Sequence, residues 1–378
     1  MKEVPNAREY YYSVIAPEEE GKNYSEVYHQ NPIENFEYLQ EYEEMNKGSG
    51  HKIDPNSIYD HIPFLSNCPL LESLFKEMLS SVDSTLENRL AKMFIAKRHD
   101  LKFNAGALPG DKEYLGEIIF FMVGLSDACY QYSQLFAEIL TLKVLRSGKE
   151  KNSEVIQQQI YYVADQAITL ANAQKYWITD GNHIIIKLRE ELFLKSSSFE
   201  AAQIAGGVST FTDLFILGHE IAHHLLGHLG NMNIGDIYLE KLPEDCKFWL
   251  EASKKHSKEF KADALALLLI SGITKSNVDQ QSKNTLIIHS VLGALLTLTV
   301  SGQVIGDLTA STITHPSIEN RFKQCRRIFE NYLILNLSDE YATDAEYVLD
   351  DILGFQSMLY QTQNIGFKDS VKDAELRL

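Results

Sequence analysis

The stretch FILGHEIAHHLLGHL, residues 215–229, constrains this chain more than any other part of it. Four histidines and one glutamate sit in a run that is otherwise almost entirely apolar. Such a run is either a metal site or a core helix rich in histidine. Within it, His219, Glu220 and His223 spell HExxH. On a helix, positions i and i+4 share one face, so both imidazoles can reach a single ion. Glu220 lies beside them, where a carboxylate can hold water without ligating. Zn²⁺ lowers the pKa of a bound water towards ~7, and a neighbouring glutamate can take its proton as it attacks a carbonyl. By chance the motif turns up in roughly three of every hundred chains of this composition, so the third ligand decides the matter.

Two third-ligand patterns can be tested. The metzincin pattern needs Gly three residues after the second His and a further His three beyond it. Leu226 and Leu229 occupy those places, which excludes it. A gluzincin takes a glutamate from a later helix, and KEFKADALALLL (Lys258–Leu269) offers Glu259, with Asp263 one turn on. Glu259 can bind zinc there while Asp263 hydrogen-bonds a ligand histidine and fixes its tautomer. The same two acids also read as ordinary helix-start charges. Together with HExxH they point to a site for one Zn²⁺ ion.

These elements resemble the zinc endopeptidases of the HtpX, Oma and CAAX-prenyl-protease type. The resemblance rests on GHEIAHHLLGH (His219, Glu220, His223, His228), EFKAD (Glu259, Ala262, Asp263) and THPSIENR (Thr314, His315, Pro316, Arg321), in that order. It covers about residues 175–330. It implies a gluzincin fold and endopeptidase activity, with His219, His223 and Glu259 as zinc ligands. Glu220 would be the base and Asp263 the partner behind a ligand. His315 and Arg321 would lie near the cleft, where a donor can stabilise a tetrahedral oxyanion. His315 could instead simply start a helix before Pro316, and Arg321 could pair with a structural carboxylate. His224 reads as a core or surface histidine, and His228 as a structural hydrogen-bonding partner rather than a ligand.

Around this centre the chain divides into an acidic, tyrosine-rich extension (1–65), a helical region (66–172), the zinc metallopeptidase domain (173–335) and an acidic C-terminal tail (336–378). YWITDGNHIIIKL (Tyr176–Leu188) predicts a β-hairpin whose edge would hold an extended peptide. The HExxH helix is expected to start near Ser209–Asp213 and to end near Gly230 and Asn231. Thr285–Gly306 is nearly long enough to span a bilayer. It lies between Glu259 and His315, however, and a crossing would put those residues on opposite sides. The segment is therefore expected to be a core helix, with no membrane partner.

With 52 acidic against 35 basic side chains, the net charge is −17. That excludes a nucleic-acid partner, since phosphate binding needs clustered Lys and Arg. The N-terminus lacks the apolar core of a signal peptide, and the four cysteines form no CxxC pair. A bacterial cytoplasm is the expected address. The fold expected is α+β and mostly α-helical, a gluzincin catalytic domain with a small edge β-sheet plus an N-terminal helical region. The activity expected is zinc-dependent hydrolysis of peptide bonds in protein or peptide substrates. The alternatives are a latent, highly specific protease of bacterial stress or phage defence, and a zinc-stabilised regulatory or binding protein without catalysis.

Overall fold

The computed structural model describes residues 4–22, 65–98, 100, 102–108, 113–147, 153–179, 196–230, 232–248, 250–251, 256–305, 311 and 315–364. After short helical turns at Ala7–Tyr10, Tyr11–Ile15 and Pro17–Glu19 come helices α1 (Pro69–Ser81) and α2 (Ser84–Leu90); Pro69 opens the former and Asp83 caps the latter through Thr85 N and Leu86 N. Strands β1 (Met93–Arg98), β2 (Ala105–Leu108) and β3 (Glu117–Met122) form a sheet in the order β1-β3-β2. β1 runs parallel to β3, pairing Met93 with Glu117, and β2 runs antiparallel to it, pairing Ala105 with Phe121. Long helices follow: α3 (Val123–Ser147), α4 (Ser153–Thr179), α5 (Phe199–Leu225), α6 (Ser257–Ile270), α7 (Gln280–Ile305), α8 (Ile318–Ile328) and α9 (Asp339–Asn364).

The sheet is apolar on both faces, as the period of two along a strand allows. Met93 and Ile95 of β1, with Ile119 and Phe121 of β3, join the main helical core. Phe94, Ala96 and Ile118 point the other way and pack with Tyr11 and Tyr12 of the N-terminal segment. A strand buried on both faces reads as a continuous apolar run rather than an alternating one. For that reason the expected helical region of 66–172 contains this sheet. The stretch from 114 to 145, read as helical throughout, splits at Val123 into β3 and α3.

Three expectations on the later elements are also corrected. α4 continues through Thr179, so the first residues of the expected hairpin are helical, and 180–188 lie outside the described residues. α5 begins at Phe199, where Ser198 Oγ accepts from Ala201 N at 3.1 Å, and not at Ser209–Asp213. It ends at Leu225, before Gly227 (φ +66°), rather than at Gly230.

α5 is the hub, packed against α3, α6 and α7. Its contact with α7 is so close that a Cβ on Gly293 would come within 2.2 Å of Phe211 O, which leaves room only for glycine. α7 is long and apolar enough to cross a membrane, yet most of it is buried in the protein, packed on α5, α6, α8 and α9. The acidic C-terminal helix α9 is itself part of the core through Ala345, Leu349, Ile352, Phe355 and Leu359.

Candidate metal centre

α5 and α6 lie side by side, and their facing turns bring the two halves of the motif together. His219 Nε2 and His223 Nε2 are 3.1 Å apart. Glu259 Oε2 lies 3.5 Å from His219 Nε2, and Oε1 lies 3.6 Å from His223 Nε2. These three donors form a group that could hold a metal ion. Tetrahedral ligands about 2.0–2.1 Å from a zinc ion are separated by about 3.3–3.4 Å along each edge. The two nitrogens and the two carboxylate oxygens bracket that spacing, so the donor set fits such an ion.

Behind the donors each histidine has a fixed neighbour. His219 Nδ1 lies 2.8 Å from Asp263 Oδ1, which leaves Nε2 facing the group. Asp263 is clamped by Arg321, whose Nε and Nη2 donate to its two oxygens at 2.7 and 2.6 Å. Arg321 Nη1 also lies 3.7 Å from Glu259 Oε2. On the other side, His223 Nδ1 meets His228 Nδ1 at 2.9 Å. Glu220, half-buried, follows His219 on the same helix and feels the charges of His219 and Glu259.

The electrostatics describe a pocket built to hold positive charge. Burial alone would strip the proton from His219, but the Asp263 hydrogen bond and charge, with help from Glu259, hold its pKa up at about 10. Burial pushes His223 down to about 3, helped by the charge on His219. Burial likewise disfavours the charged Glu259, yet its hydrogen bond to His219 and the charges of His219, Arg321 and His223 hold it well below the usual carboxylate range. Burial raises Glu220 above that range. One positive charge is thus stabilised between two imidazoles and a carboxylate, which is the place a metal cation would take.

The remaining site residues are spread around this group. His315 stands on the open side, its ring largely exposed and its Nε2 3.9 Å from Glu259 Oε1. His224 faces away from the donors, fully buried, and its ring hydrogen-bonds the backbone at Ile118 of β3. At the other end of the sheet, Ser126 Oγ, four residues beyond β3, donates to Asp213 Oδ2 of α5 at 3.5 Å. The sheet thus runs along α5 from the level of Asp213 to that of His224, with its outer strand β2 also packed on α5. Sequence reasoning missed β2, because AGAL is too short and too small in its side chains to signal a strand.

The protein is thus α+β and converges two histidines and a glutamate from neighbouring helices in a group that could hold a metal ion. A family model described as Peptidase U49 matches residues 128–332, just over half of the 378-residue chain, and the chain belongs to that family. The match carries a peptidase family without singling out the HtpX, Oma and CAAX-prenyl-protease type that the motifs resemble. No curated protein and no solved structure matches the chain.

Proposed function

We infer that this protein is a zinc-dependent endopeptidase of gluzincin type, acting on protein or peptide substrates. The observation that carries this reading is the donor triangle of His219, His223 and Glu259, spaced at 3.1–3.6 Å, with Glu220 beside it. Two nitrogens and one carboxylate leave a coordination position open, as in hydrolytic rather than purely structural zinc sites. When bound, the ion supplies Lewis acidity towards a peptide carbonyl and towards water.

The chain's own groups do the rest. Glu220, its carboxyl lifted by burial, accepts the proton of the attacking water and returns it to the leaving amine. His315, exposed at the mouth, is placed to donate to the developing oxyanion. Arg321, with two of its N–H groups committed to Asp263, acts by positioning that carboxylate and, through it, His219. β2 is the outer strand beside α5, and among the described residues no strand pairs with its other edge. An extended peptide added to that edge would lie alongside the metal helix, the role first expected of the 176–188 hairpin. A reducing cytoplasm is part of the reading, in keeping with four buried free thiols.

The test is a pair of variants. Glu220→Gln should lower cleavage by about 10²–10⁴-fold, the usual worth of a general base, while zinc content stays at the wild-type level. Glu259→Ala should lose the zinc. Full zinc retention in Glu259→Ala would mean the third ligand lies elsewhere, and loss of zinc in Glu220→Gln would make that residue a ligand.

A further inference from the structure

The end of α5 is built so that one ligand histidine is held by another histidine. Gly227 N donates to His224 O at 3.1 Å, and His228 N donates to His223 O at 3.0 Å. With Gly227 at φ +66°, this is a Schellman turn in which His223 is the third residue from the helix end and His228 the second beyond its cap. In such turns those two positions ordinarily make an apolar contact. Here the contact is polar, Nδ1 to Nδ1 at 2.9 Å. Lys258 Nζ donates to His228 O at 3.1 Å, tying the turn to the residue that precedes Glu259.

We propose that His228 is a positioning residue that fixes the tautomer and ring orientation of His223 for metal binding. This rests on the reading of His219, His223 and Glu259 as ligands. A ring nitrogen that binds a cation must offer a lone pair, so His223 ligating through Nε2 carries its hydrogen on Nδ1. A hydrogen bond between two ring nitrogens needs one N–H and one lone pair. His228 Nδ1 is therefore the acceptor, and its own hydrogen sits on Nε2. The two ligand histidines are thus oriented differently: His219 by a charged carboxylate, His223 by a neutral imidazole delivered by the helix's own C-terminal turn. The local sequence HxxxGH encodes that device, with the glycine supplying the left-handed step.

The experiment measures the zinc dissociation constant of the full-length protein by chelator competition. Wild type is compared with His228→Ala, His228→Asn and His228→Gln. Alanine should weaken zinc binding by about 10–100-fold, the usual cost of losing a partner behind a ligand. Asparagine places its Oδ1 where the Nδ1 stood and should recover most of that loss. Glutamine, whose carbonyl lies one bond further out, should not. Nitrogen-15 spectra of the zinc-loaded wild type should find the His223 hydrogen on Nδ1 and the His228 hydrogen on Nε2. The proposal is overturned if alanine binds zinc as wild type does, if asparagine is no better than alanine, or if the hydrogens sit the other way round. Wild type that takes up no zinc would sink the proposed function along with it; zinc-binding wild type with an unaffected alanine variant would sink only the role of His228.

Discussion

The middle and the C-terminal end of α5 bury polar groups to similar depth and treat them in opposite ways. Near the C-terminal end, His219 meets Asp263, Asp263 meets Arg321, Arg321 approaches Glu259, and His223 meets His228, so these groups form a connected set of complementary partners. Near the middle of the helix, Asp213 is equally buried, but only one of its oxygens has a partner, Ser126 Oγ, among the described residues. Nearby on α3, both amide atoms of Gln131 and the hydroxyl of Ser133 also lack hydrogen-bond partners among the described residues. The response of the carboxylates shows the difference: Asp263 is driven below its ordinary range, while burial raises Asp213 to about 6. Between these two aspartates the difference is an opposite charge within hydrogen-bonding reach, which Asp263 has in Arg321.

The largest test of this contrast removes the opposite charge. Arg321→Ala takes from buried Asp263 and Glu259 the guanidinium they share and should destabilise the metal-free protein by about 3–5 kcal/mol in denaturant unfolding. Lysine should not restore the loss, because a single point charge cannot serve both oxygens of Asp263. A cost near zero would mean the pair is isolated from the rest of the fold.

The next test works from the middle of the helix. Asp213 has a folded pKa of about 6 against an ordinary 3.8, so the fold favours its neutral form. Its contribution to stability is present below about pH 4 and is lost as the pH rises through about 6. Asp213→Asn should therefore gain about 3 kcal/mol over wild type at pH 8 and nothing at pH 4. Denaturant unfolding at the two pH values measures this. An equal effect at both would mean the aspartate is not the titrating group.

The smallest effect concerns the turn that ends α5. Gly227 sits at φ +66°, where a side chain costs about 1–2 kcal/mol. Gly227→Ala should lose that much in thermal unfolding and Gly227→Asn less, since asparagine tolerates the left-handed region. Zinc affinity should fall together with stability, because the turn carries His228. If affinity holds while stability drops, the turn and the ligand are uncoupled.

Much of the candidate site could be read from spacing. HExxH needs only helical periodicity to bring His219 and His223 to one face, and EFKAD on an apolar helix offers Glu259 and Asp263 together. α7 could be read as a core helix because the two parts of the site lie on either side of it. The elements that were misread share a different trait. β3 is apolar on both faces, so EIIFFM cannot be told from a buried helix by period. The start of α5 was misplaced because Ser198 and Ser209 offer equally good caps, and only packing selects between them. Gly227 and Gly230 both take positive φ, and the hydrogen bonds to His223 O and His224 O single out the first as the helix stop.

By itself the chain determined which atoms could bind an ion, because periodicity along a helix is a local property set by backbone geometry. What each of those atoms faces was decided only by the tertiary structure. Arg321 lies 58 residues from Asp263, and nothing local to either tells whether it clamps that carboxylate or reaches into the cleft. The outcome depends on how α8 packs against α6, and that depends on the whole core around them.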